Sequence, residues 1–300
     1  MDLIEETRNR LGPVGVWLPV GMFTPTPDEE RRAIQRLEEL GYRSVSGGGG
    51  PGNRELLAYS AITLAATDRV VIGTGIANMG SRPAYTAQSG GRTLAQAFPG
   101  RFVLGVGIGH QAAKTGSDYR PLEQTRKYLA APSAAEAEFP SPIPFPRVLA
   151  AVGLKMLELA REMTDGAHPF AQPLEHTPYA REIVGPDKPL IPEHPVLLGD
   201  REEARVHVAR TLELMKQYDI PHYFKGWKRL GYNDADIDGV SDRLVDELTA
   251  WGDEEKIAGR VKKLIDAGAD TVLVNPVGDG PEAIVDQLER LAPALTAVIR

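Results

Sequence analysis

Three glycine-bearing stretches and one histidine carry most of the chemistry this sequence could do. Gly73 and Gly75 lie within Ile72-Gly73-Thr74-Gly75-Ile76-Ala77-Asn78. Neither has a Cβ, so at a strand end the pair lets backbone approach a flat ring closely; an ordinary turn is the competing reading. Gly105, Gly107 and Gly109 alternate just ahead of His110. The alternation resembles a dinucleotide fingerprint on its face, but the third-glycine spacing and the downstream acid of that fingerprint do not follow. The run reads instead as a strand end thinned to admit a ring, with His110 at the mouth. Imidazole titrates near neutrality, which makes His110 the first candidate for a proton donor. A surface or hydrogen-bonded histidine is the alternative. Gly153-Leu154-Lys155 opens a helical pattern with no capping side chain. Free amide groups and the positive end of a helix dipole suit an anion there, such as a cofactor phosphate. An uncapped but solvated helix start would look the same.

Other chemistries lack their residues. There is no cysteine, hence no disulfide, thiolate nucleophile or cysteine-based metal site. His176, His194, His207 and His222 are scattered, with no pair of ligand spacing backed by acids, and no metal is expected. His168 sits at a predicted strand end, where it can line a cofactor pocket. No Gly-x-Ser-x-Gly elbow occurs. The net charge of −7, from 34 basic against 41 acidic residues, disfavours a nucleic-acid partner. The start Met1-Asp2-Leu3-Ile4-Glu5-Glu6 is acidic and lacks the pattern of a signal peptide. No stretch approaches the ~18 apolar residues of a membrane span. A soluble cytoplasmic protein without a membrane partner is expected.

The elements that must position these residues repeat as a short apolar run followed by an amphipathic helix. Strands are expected at Gly15–Pro19, Tyr42–Ser46, Arg69–Ile76, Arg101–Val106, Arg147–Ala151, Gly166–His168, Pro195–Leu198 and Thr271–Asn275. Thr26-Pro27-Asp28-Glu29 reads as a capping box with proline at the first helical position, and Gly41 as that helix's stop. Arg54–Ala66, Ala84–Ala97, Lys155–Met163 and Asp253–Ala267 read as further helices. About eight alternating units predict one (β/α)₈ TIM barrel spanning residues 1–300, rather than an open doubly wound sheet. Two segments break the rhythm. Gly107–Pro146 is long for a βα connection and ends in a proline-dense run, which predicts an extended insertion after strand 4 over the barrel mouth. Tyr218–Val240 is polar and aromatic, and reads as a lid, a substrate wall or a packed surface excursion.

Taken in order, the Gly73–Asn78 stretch, Arg101–His110, Gly153–Ala160 and Thr164–His168 resemble the luciferase-like monooxygenase superfamily, particularly its coenzyme F420-dependent branch. Ser241–Asp253 and Asp266–Asp270 look like the same branch, so the resemblance covers nearly the whole chain. It implies a barrel that binds F420, or alternatively FMN, and transfers a hydride to or from an organic substrate. It implies that Gly75, Ile76, Ala77, Asn78, Gly105, Gly107 and His168 bind the ring, and Gly153, Leu154 and Lys155 the phosphate. It also implies a non-proline cis bond at Gly75–Ile76, His110 as the acid/base group, and Trp17, Ser46 and Gly49 toward a small-molecule or peptide substrate. A homodimer through the helices at Arg54–Ala66 and Ala84–Ala97 is a further expectation. One departure matters. Relatives commonly place tryptophan and an ionisable residue after the second strand, where this chain has Ser46-Gly47-Gly48-Gly49-Gly50-Pro51-Gly52. A glycine run neither donates a proton nor stacks on a ring. It predicts either a wide mouth for a large substrate or a barrel that has lost redox function.

Overall fold

The computed structural model describes residues 2–19, 26–48, 54–109, 120–138 and 142–298. Helix α1 (Leu3–Leu11) precedes β1 (Val14–Pro19), α2 (Pro27–Glu39) and β2 (Ser44–Gly48). Next come α3 (Leu56–Ala65), β3 (Val71–Thr74), the short β4 (Ala77–Asn78), α4 (Ala84–Ala97) and β5 (Phe102–Gly107). The chain continues through α5 (Pro121–Glu138), β6 (Arg147–Leu149), α6 (Leu154–Met163), β7 (Gly166–Ala167), α7 (His176–Val184) and β8 (Glu193–Leu198). Four helices follow, α8 (Arg201–Gln217), α9 (His222–Arg229), α10 (Asp234–Asp238) and α11 (Asp242–Leu248). The chain ends with β9 (Ala250–Gly252), α12 (Glu254–Asp266), β10 (Val272–Pro276) and α13 (Pro281–Thr296).

All ladders are parallel, in the order β7-β6-β5-β3-β2-β1-β10-β8-β9, with β4 alongside β5. The path curls onto itself. Ala167 and Phe170 bridge to Leu190 and Glu193, and the Ile191 N–H donates to the Ala167 carbonyl at 2.9 Å. The strands β1, β2, β3, β5, β6, β7, β8 and β10 thus form the predicted (β/α)₈ ring, and β9 lies outside it along the end of β8.

Alternation along each strand sorts the side chains. Val14, Val16, Val45, Ile72, Phe102 and Leu104 face the helices and join the main core. Val71, Val103, Val148, Ile191 and Leu273 point inward, meet Leu11 and pack under Trp17, plugging the barrel below the carboxyl ends of its strands. The helix starts follow the local chemistry. Thr26 and Glu29 form the reciprocal capping box, and Gly41 takes the left-handed φ of 92° that ends α2.

The structure departs from expectation in three places. The strand read as Arg69–Ile76 stops at Thr74 and resumes at Ala77. The segment read as extended carries α5, an 18-residue helix with proline at its first position. That helix packs on α4 and α6 in the outer ring, so the excess length over a crossover is the stretch 108–120 between β5 and α5. The Tyr218–Val240 stretch folds as α9 and α10, with Tyr223, Trp227 and Tyr232 buried in a second core against α8 and α11. The packed excursion is therefore the reading that holds. No helix among the described residues is long and apolar enough to cross a membrane.

Candidate functional site

At the carboxyl ends of β1, β2 and β3, backbone and one indole make a closed floor. The Trp17 Nε1–H donates to the Gly75 carbonyl at 2.5 Å, and the Gly75 N–H donates to Gly47 O at 2.7 Å. The peptide bond Gly75–Ile76 is cis, as the resemblance implied. A Cβ at Gly48 would lie 2.5 Å from Gly75 O and 2.6 Å from the Trp17 ring, and one at Gly75 would lie 2.9 Å from that ring. The missing Cβ at both positions lets the indole and two strand ends meet, against backbone at Gly48 and against side chains at Gly75. Gly107 is similar, since its Cβ would press on Ala150 and on the Ile76 side chain at 3.2 Å. Ile76 thereby closes over β5. Asn78 packs against Gly109, which has a φ of 71°, and its Oδ1 accepts from the Gly80 N–H at 2.7 Å.

Beside this floor the barrel interior holds a polar trio. His168 is 4% exposed, and its Nδ1 lies 2.7 Å from the Ile191 carbonyl. A carbonyl only accepts, so Nδ1 carries the hydrogen and the neutral ring presents a lone pair at Nε2. That Nε2 stands 3.8 Å from Glu193 Oε2 and 3.3 Å from where a Gly75 Cβ would be. The other carboxyl oxygen, Oε1, accepts from Asn275 Nδ2 at 2.8 Å. Burial pushes the Glu193 carboxyl up to about 8, against the smaller opposing effect of the Asn275 hydrogen bond. Burial likewise holds the His168 imidazole below its usual range, partly offset by its bond to Ile191. Near neutral pH both groups are uncharged.

The expected site residues divide by position. Trp17, Gly75, Ile76, Asn78, Gly107 and His168 gather around the floor. Ser46 is buried one pleat below Gly48, its hydroxyl against Gly73 rather than at the mouth. Ala77 turns its methyl into the outer core, and Gly105 is claimed by β3, where a Cβ would lie 1.9 Å from Thr74 O. Gly153 caps α6 with no side-chain bond, and a Cβ there would meet nothing within 4 Å. The next residues, Leu154 and Lys155, are both exposed, so the first turn of α6 stands open as expected. His110 and Gly49 lie outside the described residues.

Glu193 and Asn275 were missed from the sequence. The signal was there in Ile191-Pro192-Glu193-His194-Pro195, a charged residue within an apolar run, but the strand was read from Pro195 and left it outside. The other histidines serve packing. His176 Nε2 bonds the Val152 carbonyl at 2.8 Å, and His194 faces outward from β8 toward Arg260 of α12. Among the described residues no group of three or more His, Cys, Asp or Glu is placed to hold a metal.

Solved structures share this chain's fold at low identity. An F420-dependent secondary alcohol dehydrogenase, solved with an F420–acetone adduct, matches at 17% identity and TM-score 0.72, over 95% of this chain and 99% of that one. The coenzyme F420-dependent tetrahydromethanopterin reductase from Methanopyrus kandleri matches at 15% and 0.70, over 96% and 98%. The FMN-bound oxygenating constituent of 3,6-diketocamphane monooxygenase from Pseudomonas putida matches at 16% and 0.68, over 96% and 100%. No curated protein sequence matches. The family model for luciferase-like monooxygenases does match, over residues 11–271, and the chain belongs to that family.

Proposed function

We propose that this protein is a coenzyme F420-dependent oxidoreductase that moves a hydride between the deazaflavin and an organic substrate. The observation that carries the reading is the floor at Gly75, where backbone and the Trp17 indole replace side chains at the strand ends. Such a surface suits a flat ring. The open first turn of α6 suits the phosphate. These two features fit F420 and FMN alike. The ordered motifs Gly73–Asn78, Arg101–His110 and Gly153–His168 favour the deazaflavin, and F420-dependent proteins stand among the structural neighbours.

In this reading the bound cofactor supplies the hydride chemistry, and the chain supplies position and protons. Trp17 fixes the Gly75 carbonyl, Ile76 and Asn78 would border the cofactor, and the amides of Leu154 and Lys155 would hold its phosphate. His168 would line the cofactor pocket beside Gly75. His110 gives or takes the substrate proton. Trp17 and Gly49 border the substrate, a small organic molecule or peptide admitted by the glycine run. Exposed Ile62 on α3 and Tyr85 on α4 lie on the face where a homodimer would form.

Titration with F420 and, separately, FMN, followed by cofactor fluorescence, tests the reading. Preferential F420 binding is expected, with no oxygen consumed on turnover, and His110→Ala then loses activity while keeping affinity. Preference for FMN with oxygen uptake would make the protein a monooxygenase. Binding of neither would mark a barrel that has left redox chemistry.

A further inference from the structure

Glu193 and Asn275 have no part in the chemistry above, yet with His168 they are buried beside the floor. Asn275 fixes one carboxyl oxygen at 2.8 Å, the Ile191 carbonyl fixes one imidazole nitrogen at 2.7 Å, and the two free atoms face each other at 3.8 Å. Neither group makes a packing contribution that an apolar residue would not make more cheaply. We propose that Glu193 and His168 share a transferable proton which answers negative charge arriving over Gly75, with Asn275 as the positioning residue. This rests on the reading that a redox ring lies against that floor.

The step is a single proton transfer. The Glu193 Oε2–H bond breaks and a His168 Nε2–H bond forms, while Nδ1–H stays on the Ile191 carbonyl. The pair is neutral before and after. Its imidazolium end then lies nearest Gly75 and its carboxylate end is held away by Asn275. A small rotation of the Glu193 carboxyl brings 3.8 Å within hydrogen-bond reach. Burial favours the neutral form of both groups when nothing is bound, so the pair is poised and releases no charge into the core. Among the described residues, the inward positions around the pair hold Trp17 on β1, Ser46 on β2, glycines on β3 and β5, Val148 on β6 and Leu273 on β10. None is charged. Arg260, which acts on His194, and its partner Glu247 lie on the outer side of β8 with that histidine.

Infrared spectroscopy near pH 6.5 reads the pair directly. The free protein is expected to show the band of a buried, protonated carboxylic acid that disappears in Glu193→Gln. When F420 is bound and then reduced, that band is expected to give way to a carboxylate, with an imidazolium signal that His168→Asn removes. Glu193→Gln should weaken binding of the reduced ring relative to the oxidised ring by roughly tenfold, one pK unit of lost interaction. Asn275→Asp, which keeps volume, should shift the acid band without abolishing it. An ionised Glu193 in the free protein overturns the proposal. So does an acid band unchanged on reduction of a cofactor that is demonstrably bound. If neither F420 nor FMN binds, the functional reading fails and the charge response fails with it, whereas the acid band still reports whether the resting pair is neutral.

Discussion

Two glycines only thirty residues apart would respond to a methyl group in opposite ways, because their neighbours differ in kind. At Gly105 the added Cβ would sit 1.9 Å from a backbone oxygen of Thr74, which also ties its own hydroxyl to Gly105 O at 2.6 Å. Backbone cannot yield without parting β3 from β5. Gly105→Ala is expected to destabilise the fold by ~3 kcal/mol or more, read as a lower urea midpoint. At Gly75 the neighbours are the Trp17 ring at 2.9 Å and the His168 ring at 3.3 Å, both side chains that can shift. Gly75→Ala is expected to cost only ~1 kcal/mol of stability. Its main effect should be on F420 affinity, lowered at least tenfold, since the floor itself is displaced. Equal losses of stability in the two variants would argue that the floor is ordinary packing. Gly75 was legible in the sequence because close backbone approach leaves a residue-type signature at a strand end; Gly105 was read in the same way, as thinned for a ring, whereas it is β3 that approaches it. Glu193 and Asn275 were not. They meet across 82 residues of chain, and neither is unusual beside its own neighbours except as a polar residue in an apolar run.

Helix α6 tests the other half of the proposed site, since stability and binding pull its first residue in different directions. Gly153 has φ −94° and ψ 156°, the extended geometry in which an aspartate can cap. Gly153→Asp should stabilise the helix by a few tenths of a kcal/mol. The same carboxylate would occupy the amides proposed for the cofactor phosphate and repel it. A higher melting temperature together with weaker F420 binding is the expected pair of results; unchanged binding would move the phosphate elsewhere. The excursion α8–α11 gives a second case. The Trp227 Nε1–H donates to the Ala171 carbonyl at 3.1 Å, and Ala171 has a φ of 50°, three residues beyond His168. Trp227→Phe removes one of that carbonyl's two donors, leaving the Gln172 side-chain amide at 2.9 Å, at a cost of ~1 kcal/mol, and hydrogen exchange should rise around residues 168–172 before the rest of the barrel. Most elements of this ring were readable because each βα unit states its own period, cap and stop, as Thr26 to Gly41 does. The excursion and α5 were harder. Trp227 and Tyr232 are buried by helices they do not belong to, and the prolines after α5 obscured a helix that its own neighbours α4 and α6 hold in place.

The whole fold keeps several titratable groups buried in their neutral forms, and together they set how its stability depends on pH. Burial holds His168, His176 and His222 below their usual range; burial and Arg260 depress His194 further, and burial with Arg210 takes His207 to about 4. An unfolded histidine takes up its proton near pH 6.5. Below that value the unfolded chain therefore binds protons that the folded chain refuses, and stability falls as pH falls. Glu193 acts in the opposite sense. Its folded carboxyl keeps a proton up to about 8, whereas the unfolded one loses it near 4.5, so its contribution declines as pH rises between those values. Under acid conditions the histidines outnumber it and dominate. Above pH 6.5 these histidines are neutral in both states and, among these buried groups of the described residues, Glu193 remains, with a slope of about 1.4 kcal/mol per pH unit for one proton. Stability should accordingly peak near pH 6.5 and decline toward pH 8. Urea midpoints at pH 5, 6.5 and 8 measure this, and Glu193→Gln should remove the decline above 6.5 and steepen the acid limb, where its proton no longer opposes the histidines. A wild-type protein equally stable at pH 6.5 and 8 would mean that Glu193 is already ionised inside the barrel at pH 6.5, which overturns the neutral resting pair.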